Sequence, residues 1–431
     1  MKLLIKSMAT LLFFSASAQE QYSISSQKDR LRQYSGQWVS AITTESDSLA
    51  VLPNIKMSGL SNTNNNSLTV KVFQKNKKGQ YQSILHEIIG YDNLSDTIFA
   101  AGHNASGAFF TGKGGFTSQS KWTMHDKDLN GNPTMRVDFK FQNYTDVILE
   151  GFDNNQKSLW KTRYIKQNPK DKNIGVQLVS VHEEMLKNPQ ATLIQLGRMG
   201  YSYVETFVYN DGSFYGYSPK EFKAIVEKAG MQFLGSMTFF DPDDKKDFNA
   251  IDAWWQKTIE DHKAAGVAYL STSNSKIKEI TSISELKAYS DYYNRVGKLC
   301  KDNGLKFVFH NHADEFLTIE GIRAYDYFLE NTNPEFVYFQ SDVYWMDVAG
   351  VNPVAYFKKY PKRFISWHVK DHKELGTSGK IDFKELFKHK KVSGLEYVVS
   401  EVEAYSFPPL FSIGLAWEYI YYELLNEKNN L

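Results

Sequence analysis

Lys306-Phe307-Val308-Phe309-His310-Asn311-His312, Val337-Tyr338-Phe339-Gln340-Ser341-Asp342 and Phe364-Ile365-Ser366-Trp367-His368 share one design. Each is a short apolar run of β-formers that closes on a residue able to bind a metal. Five more apolar strand-like runs flank them: Ile174–Val181, Tyr203–Tyr209, Met231–Met237, Val267–Ser271 and Tyr397–Glu401. Amphipathic helical stretches alternate with the runs, at Ala191–Met199, Pro219–Ala229, Ile251–Ala264, Ile283–Lys301, Ile322–Glu330 and Pro353–Lys359. Eight strands joined by crossover helices predict an α/β fold with a parallel sheet. Residues 174–431 match the length of a (β/α)8 TIM barrel, roughly 250 residues. A doubly wound open sheet is the competing architecture. It would want a glycine-rich phosphate turn after the first strand, and none follows Val181.

Outward from the barrel, the pattern changes at 167–173, a polar stretch with Pro169 that reads as a linker. Residues 19–166 before it are strand-like, with segments such as Ser67–Gln74, Thr134–Phe141, Val147–Gly151 and Ser158–Ile165. Turn signals separate them: Asn64-Asn65-Asn66, Lys78-Gly79, Gly112 to Gly115, Asn130-Gly131 and Asp153-Asn154-Asn155. This predicts an all-β accessory domain, a barrel or a sandwich. With Gly36-Gln37-Trp38 near its start it resembles a lipocalin-like barrel. Asp126 to Gly131 mimics half a calcium loop, but the twelfth position is Val137, so a hairpin turn is the better assignment. Residues 1–18 have the layout of a secretory signal peptide: Lys2 and Lys6, an apolar stretch from Met8 to Phe14, then Ala16-Ser17-Ala18. The alternative is a frayed N-terminal helix. Export, to the periplasm if the source is Gram-negative, is the expectation.

The whole chain has 431 residues and a balanced charge, 50 Lys+Arg against 49 Asp+Glu. No basic excess exists to neutralise a phosphate backbone, so nucleic acid is not an expected partner. No segment is apolar for long enough to insert in a membrane. The single cysteine, Cys300, excludes an intramolecular disulfide and a Cys-based zinc site, and reads as a small core residue. A homo-oligomer is compatible with this composition.

In TIM barrels the active site lies at the C-terminal ends of the strands. Here those ends carry Glu205, His310-Asn311-His312, Asp342, His368 and Glu401. Histidine and carboxylate are the residue types that hold a divalent transition metal. Buried charges in four distant strands are costly unless they share a site. The alternative is a set of solvated loop ends with one or two core histidines. His86, His103 and His125, in the β-domain, share no spacing.

The same residues resemble the xylose-isomerase-like sugar phosphate isomerase/epimerase family. The resemblance rests on Gly175-Val176-Gln177-Leu178, Leu196-Gly197, Val204-Glu205, His310-Asn311-His312 with Glu315-Phe316, Ser341-Asp342 with Tyr344-Trp345, His368-Val369-Lys370-Asp371 and Glu401, in order across 173–431. It implies a (β/α)8 fold and one divalent metal ion (Mn, Zn, Co or Mg). In the epimerase branch the ligands are Glu, Asp, His and Glu; the last three carry over as Asp342, His368 and Glu401. The fifth-strand position falls on His310, a departure that removes one of two proton-shuttling carboxylates. His312 is the competing ligand. His182 stands where relatives often carry Arg, and Met237 where many carry His.

What this implies is a metal-dependent sugar isomerase or epimerase working through an enediolate on a small carbohydrate. Glu401 is the first candidate for general base and Glu205 the second, with a hydroxyl-binding role as the alternative for Glu205. Lys370 either neutralises an oxyanion or pairs with Asp371 on the rim. His312 and Trp345 are candidate substrate-binding residues; Trp345, Phe239 and Phe240 either stack on sugar faces or pack. Glu403 and Glu315 fit supporting or surface positions. Export favours an unphosphorylated sugar, keto-sugar or glycoside. The second hypothesis is a lyase that expels the aglycone of a 3-keto-glycoside, which needs one base rather than two. The third is a non-catalytic secreted sugar-binding protein.

Overall fold

The computed structural model describes Ile24 and residues 26–41, 54–61, 66–240 and 248–426. The expected signal peptide and the Asn64-Asn65 turn lie outside the described residues. By contacts the chain divides into two units. One holds the residues up to Gln167 together with Tyr405–Phe411; the other holds Asn168–Ala404 and the residues from Ser412 onward.

The first unit is a closed antiparallel barrel of ten strands: β1 (Gly36–Ser40), β2 (Ile55–Ser61), β3 (Ser67–Lys75), β4 (Tyr81–Asp92), β5 (Thr97–Asn104), β6 (Phe109–Phe116), β7 (Lys121–Asp128), β8 (Pro133–Asn143), β9 (Asp146–Phe152) and β10 (Ser158–Lys166). β2 to β10 pair in sequence, and β1 closes the ring between β10 and β2. Closure excludes the sandwich, and ten strands exceed the eight of a lipocalin. Alternation puts an aromatic core inside. Trp122 stacks on Phe139 at 4.0 Å, and Tyr34 meets both edge-on at 5.5 and 5.3 Å. Gly112 to Gly115, expected as a turn, runs instead through β6. A Cβ on Gly112 would sit 2.6 Å from the Asp126 carboxylate, so this glycine makes room for a side chain of the next strand. The Asp126 to Gly131 stretch ends in a hairpin turn, where Asp128 Oδ1 accepts from Asn130 N and Asn132 N at 2.9 Å each. His86 and His103 are register partners with rings 5.8 Å apart, a pairing that linear spacing does not show.

The second unit is a (β/α)8 barrel. Its strands are β11 (Ile174–Gln177), β12 (Tyr203–Thr206), β13 (Gln232–Met237), β14 (Tyr269–Thr272), β15 (Lys306–His310), β18 (Val337–Asp342), β19 (Phe364–Val369) and β20 (Tyr397–Ser400), all parallel and closed by the β11–β20 pair. The two-residue strands β16 (Thr318–Ile319) and β17 (Ile322–Arg323) form a small hairpin between β15 and β18. A helix follows each barrel strand: Pro189–Met199, Pro219–Lys228, Phe248–Ala265, Ile283–Asp302, Ala324–Asn331, Pro353–Lys359, Phe383–Lys388 and Pro409–Tyr419. Sequence sets their starts. Ser218 with Glu221 and Ser282 with Glu285 form capping boxes that satisfy first-turn N–H groups.

The barrel interior changes character along its axis. The lower part holds Tyr269, Val308 and Ile365, with Tyr397 packed against them. Gly175 and Gly235 admit the tyrosines: a Cβ there would lie 2.1 Å from the Tyr203 ring and 2.4 Å from the Tyr269 ring. Above them the inward residues turn polar, with Gln177, Glu205, Ser271, His310, Gln340 and Ser366 all buried. Apolar branched residues usually fill such layers. A buried polar layer is tolerable only where its members satisfy one another. Among the described residues, no helix is long and apolar enough to cross a membrane.

Candidate metal centre and active site

The strand ends bring His310, Asp342 and His368 together, each offering a ligand atom within 4.8 Å of the others. Asp342 closes β18 and caps the helix Val343–Val348, its Oδ1 accepting from Trp345 N at 3.1 Å. That leaves Oδ2 facing the barrel axis, 4.0 Å from His368 Nδ1 and 3.9 Å from Lys370 Nζ. Asn311 holds the strand end in place, its Oδ1 accepting from Asp342 N at 3.2 Å. Glu401, just past β20, brings Oε2 to 2.5 Å from His368 Nδ1.

Three buried atoms here have no hydrogen-bond partner: Asp342 Oδ2, His368 Nδ1 and Glu401 Oε2. Nδ1 and Oε2 face each other as an ion pair at 2.5 Å. Orphaned buried acceptors are rare in native proteins, and three converging from three strands fit a divalent cation. His310 completes the set. Its Nδ1 is 3.0 Å from Gln340 Oε1, which leaves Nε2 as its ligand atom. His312 packs edge-on against His310, 4.8 Å between centroids, and lies 5.5 Å from Trp345. Burial lowers the His312 pKa to about 4, aided by the Lys370 ammonium and then His368, and burial holds that of His310 well below the usual imidazole value, aided by His312 and His368. Both rings are therefore neutral at pH 7, as a ligand must be. Burial pushes the Asp342 carboxyl up to about 7, against the pull of Lys370. Burial would also raise Glu401, but Lys370 and His368 outweigh it and hold this carboxyl well below the usual range.

Glu205 corrects an expectation. It is fully buried, and its two oxygens accept four hydrogen bonds: Oε1 from Gln177 Nε2 at 2.6 Å and His368 Nε2 at 2.7 Å, Oε2 from Tyr269 Oη at 2.5 Å and Gln340 Nε2 at 2.9 Å. No lone pair remains for a substrate proton or hydroxyl, so neither the base nor the hydroxyl-binding role fits it. Lys370 corrects another. Its ammonium does not pair with Asp371. It donates to Glu401 Oε1 at 2.9 Å and to Glu403 Oε2, and lies 5.2 and 5.1 Å over the Tyr344 and Trp345 rings. Asp371 instead anchors its own loop, accepting from His372 N, Gly376 N and Ser378 Oγ. Glu315 is buried and receives His312 N at 2.7 Å. Phe240 stacks on Trp254 at 4.7 Å, a packing role, whereas Phe239 is exposed. Gln340 and Gln177 were not singled out from sequence. The signal was present: each is a lone long polar residue in an apolar strand run, and Gln340 shares the inward face with Asp342 two residues on.

A family model for the xylose isomerase-like TIM barrel matches residues 194–419, more than half of the chain. The chain belongs to the xylose isomerase-like TIM barrel family. Two solved structures of the family type, sugar phosphate isomerase/epimerases from Parabacteroides distasonis, are similar to it. One is 26% identical with TM-score 0.55, covering 57% of this chain and 93% of that one. The other is 28% identical with TM-score 0.53, covering 58% and 98%. Among curated proteins, inosose dehydratase of Clostridium tetani is 30% identical over 121 residues, 28% of this chain and 38% of that protein. Inosose dehydratase of Clostridium beijerinckii is 28% identical over 135 residues, 30% and 42%. The chain thus spans less than half the length of these two curated relatives. Isomerase/epimerases and dehydratases are thus among the proteins this chain is similar to.

Proposed function

We propose that the barrel is a metal-dependent carbon–oxygen lyase acting on a keto-sugar, keto-cyclitol or 3-keto-glycoside. The observation that supports this most is the count of usable carboxylates. Epimerisation by two opposed carboxylates needs one on each side of the substrate carbon. Here the fifth-strand position is His310, and Glu205 has every lone pair engaged. Glu401 is left as the base. The partial likeness to inosose dehydratases, whose name describes an elimination, supports the same reading.

His310, Asp342, His368 and Glu401 would hold the cation, which supplies Lewis-acid polarisation of adjacent substrate oxygens when bound. Glu401 is ionised at neutral pH because Lys370 and His368 hold its carboxyl low, and it removes the proton next to the substrate carbonyl. The C–H electron pair passes into the carbon framework, and the C–O bond one carbon further breaks. The departing oxygen takes the proton back from Glu401, so one carboxyl serves both halves and leaves unchanged. Lys370, fixed as a cation between Glu401 and Glu403, offsets the negative charge that builds on the enolate oxygen. His312 and Trp345 border the centre and supply contact surface for the substrate. Export by the leader of residues 1–18 belongs to this proposal and favours an unphosphorylated substrate.

A second reading, sugar isomerisation or epimerisation, is supported by the likeness to the two isomerase/epimerases over nearly their full length. NMR in deuterated buffer separates the two. Elimination releases water or an aglycone and leaves an unsaturated ketone. Epimerisation inserts deuterium and returns an isomer. Isomer formation from free ketoses, with no product from keto-glycosides or keto-cyclitols, would overturn the lyase proposal.

A further inference from the structure

We propose that Glu205 is the positioning residue of the metal centre, fixing the tautomers of both ligand histidines from the buried layer beneath it. This rests on the metal-dependent reading above. The first arm is direct. Glu205 Oε1 accepts from His368 Nε2, which keeps a proton on that nitrogen and leaves Nδ1, 2.5 Å from Glu401 Oε2, as the nitrogen a bound cation would take. The second arm runs through Gln340. Its Nε2 donates to Glu205 Oε2 at 2.9 Å and to Ser366 Oγ at 2.8 Å, and its Oε1 accepts from His310 Nδ1 at 3.0 Å.

The amide cannot turn over. Flipped, its oxygen would face the Glu205 carboxylate, and its NH2 would face His310 Nδ1. The carboxylate therefore sets the amide, the amide places the His310 proton on Nδ1, and Nε2 is left for a ligand. One carboxylate thus makes two imidazoles present opposite nitrogens: Nδ1 from His368 and Nε2 from His310. Gln177 Nε2 and Tyr269 Oη occupy the remaining lone pairs of Glu205, so the hub cannot rotate away from its task. Tyr269 reaches it because Gly235 has no side chain to block the ring. A polar layer placed under three unpartnered ligand atoms is what such a support requires.

The test is cobalt binding to the full chain, read by chelator competition and by the visible d–d spectrum, in wild type, Glu205→Gln, Gln340→Leu and the double variant. Glu205→Gln puts an NH2 group where only acceptors fit, so one of its four donors loses its partner. Each single variant is expected to weaken Co2+ binding about 10–100-fold, the usual scale for a group that orients a ligand. The double variant should lose less than the product of the two, because both act through one hub. The spectrum of the residual Co2+ complex should shift, which loss of general stability would not cause. If Glu205→Gln fails to fold, Gln340→Leu alone decides, on the same affinity and spectral criteria. Wild-type binding with variants within about twofold of it would overturn the positioning role and leave the metal reading standing. Absence of Co2+ binding by folded wild type would overturn the metal reading itself, and this inference with it.

Discussion

Glu401→Gln isolates the proton-transfer step from metal holding. The amide keeps nearly the same volume and one oxygen, but loses the charge and the base. Its Oε1 partner, Lys370 Nζ at 2.9 Å, retains Glu403 and stays 3.9 Å from Asp342 Oδ2. Breaking a buried pair completely costs about 3–5 kcal/mol. Because Lys370 keeps a second carboxylate, a loss of about 1–2 kcal/mol is expected here. The catalytic loss should be larger. General-base assistance is worth about 10²–10⁴-fold, or roughly 3–5.5 kcal/mol of barrier. Product formation from a 3-keto-glycoside, followed by NMR beside a urea melt, gives both quantities. A variant that folds and turns over within about threefold of wild type would refute the assignment of the base.

Two further outcomes follow from the fold. Burial, aided by the Asp126 charge, pushes the Glu87 carboxyl of the β-barrel up to about 8, and burial pushes Asp126 up to about 6. Their folded values exceed the ordinary ones of about 4, so the folded state binds more protons between about pH 4.5 and 8, and stability falls as pH rises through that window. Melting of the full chain should show this slope, to which Asp342 and Glu315, both pushed up to about 7, also contribute, and Glu87→Gln should reduce it; an unchanged slope would place its origin elsewhere. Gly235→Ala puts a Cβ 2.4 Å from the Tyr269 ring, with an expected loss of about 1–3 kcal/mol in a denaturant melt, and a neutral result would mean the ring moves freely.

The barrel was legible because its strands are buried on both faces and read as continuous apolar runs, several of them ended by a charged or imidazole residue that has no place in a core. Lys306–His310 and the helix Pro353–Lys359 have the expected limits. Other runs stop early: Ile174–Val181 gives only four strand residues before Leu178–Val181 winds into a 3-10 turn. Asp342, His368 and Glu401 stood out as charged residues closing apolar runs. Glu205 stood out for the same reason, yet its work is different. A residue at a strand end shows that it faces the axis, but not whether it faces the mouth or the layer below. That depends on how far each strand is shifted along the axis, which the Val204–Glu205 register irregularity alters. Lys370 was paired with Asp371 by adjacency, whereas neighbouring strand-end residues point opposite ways and its partners came from β20's end. The glycines of β6 read as a turn because Gly is the usual turn former; here Gly112 and Gly114 clear space for Asp126 and Met124 across the sheet, and Gly115 for Gln27.

The most direct measurement is bound metal per chain by mass spectrometry, in wild type and in His368→Ala. Removing His368 takes away the ring whose Nδ1 lies 2.5 Å from Glu401 and 4.0 Å from Asp342. About one equivalent in the wild type and a small fraction of it in a folded His368→Ala protein is the predicted result. A metal-free wild type after reconstitution with zinc, manganese or cobalt, or full occupancy in His368→Ala, would contradict the account.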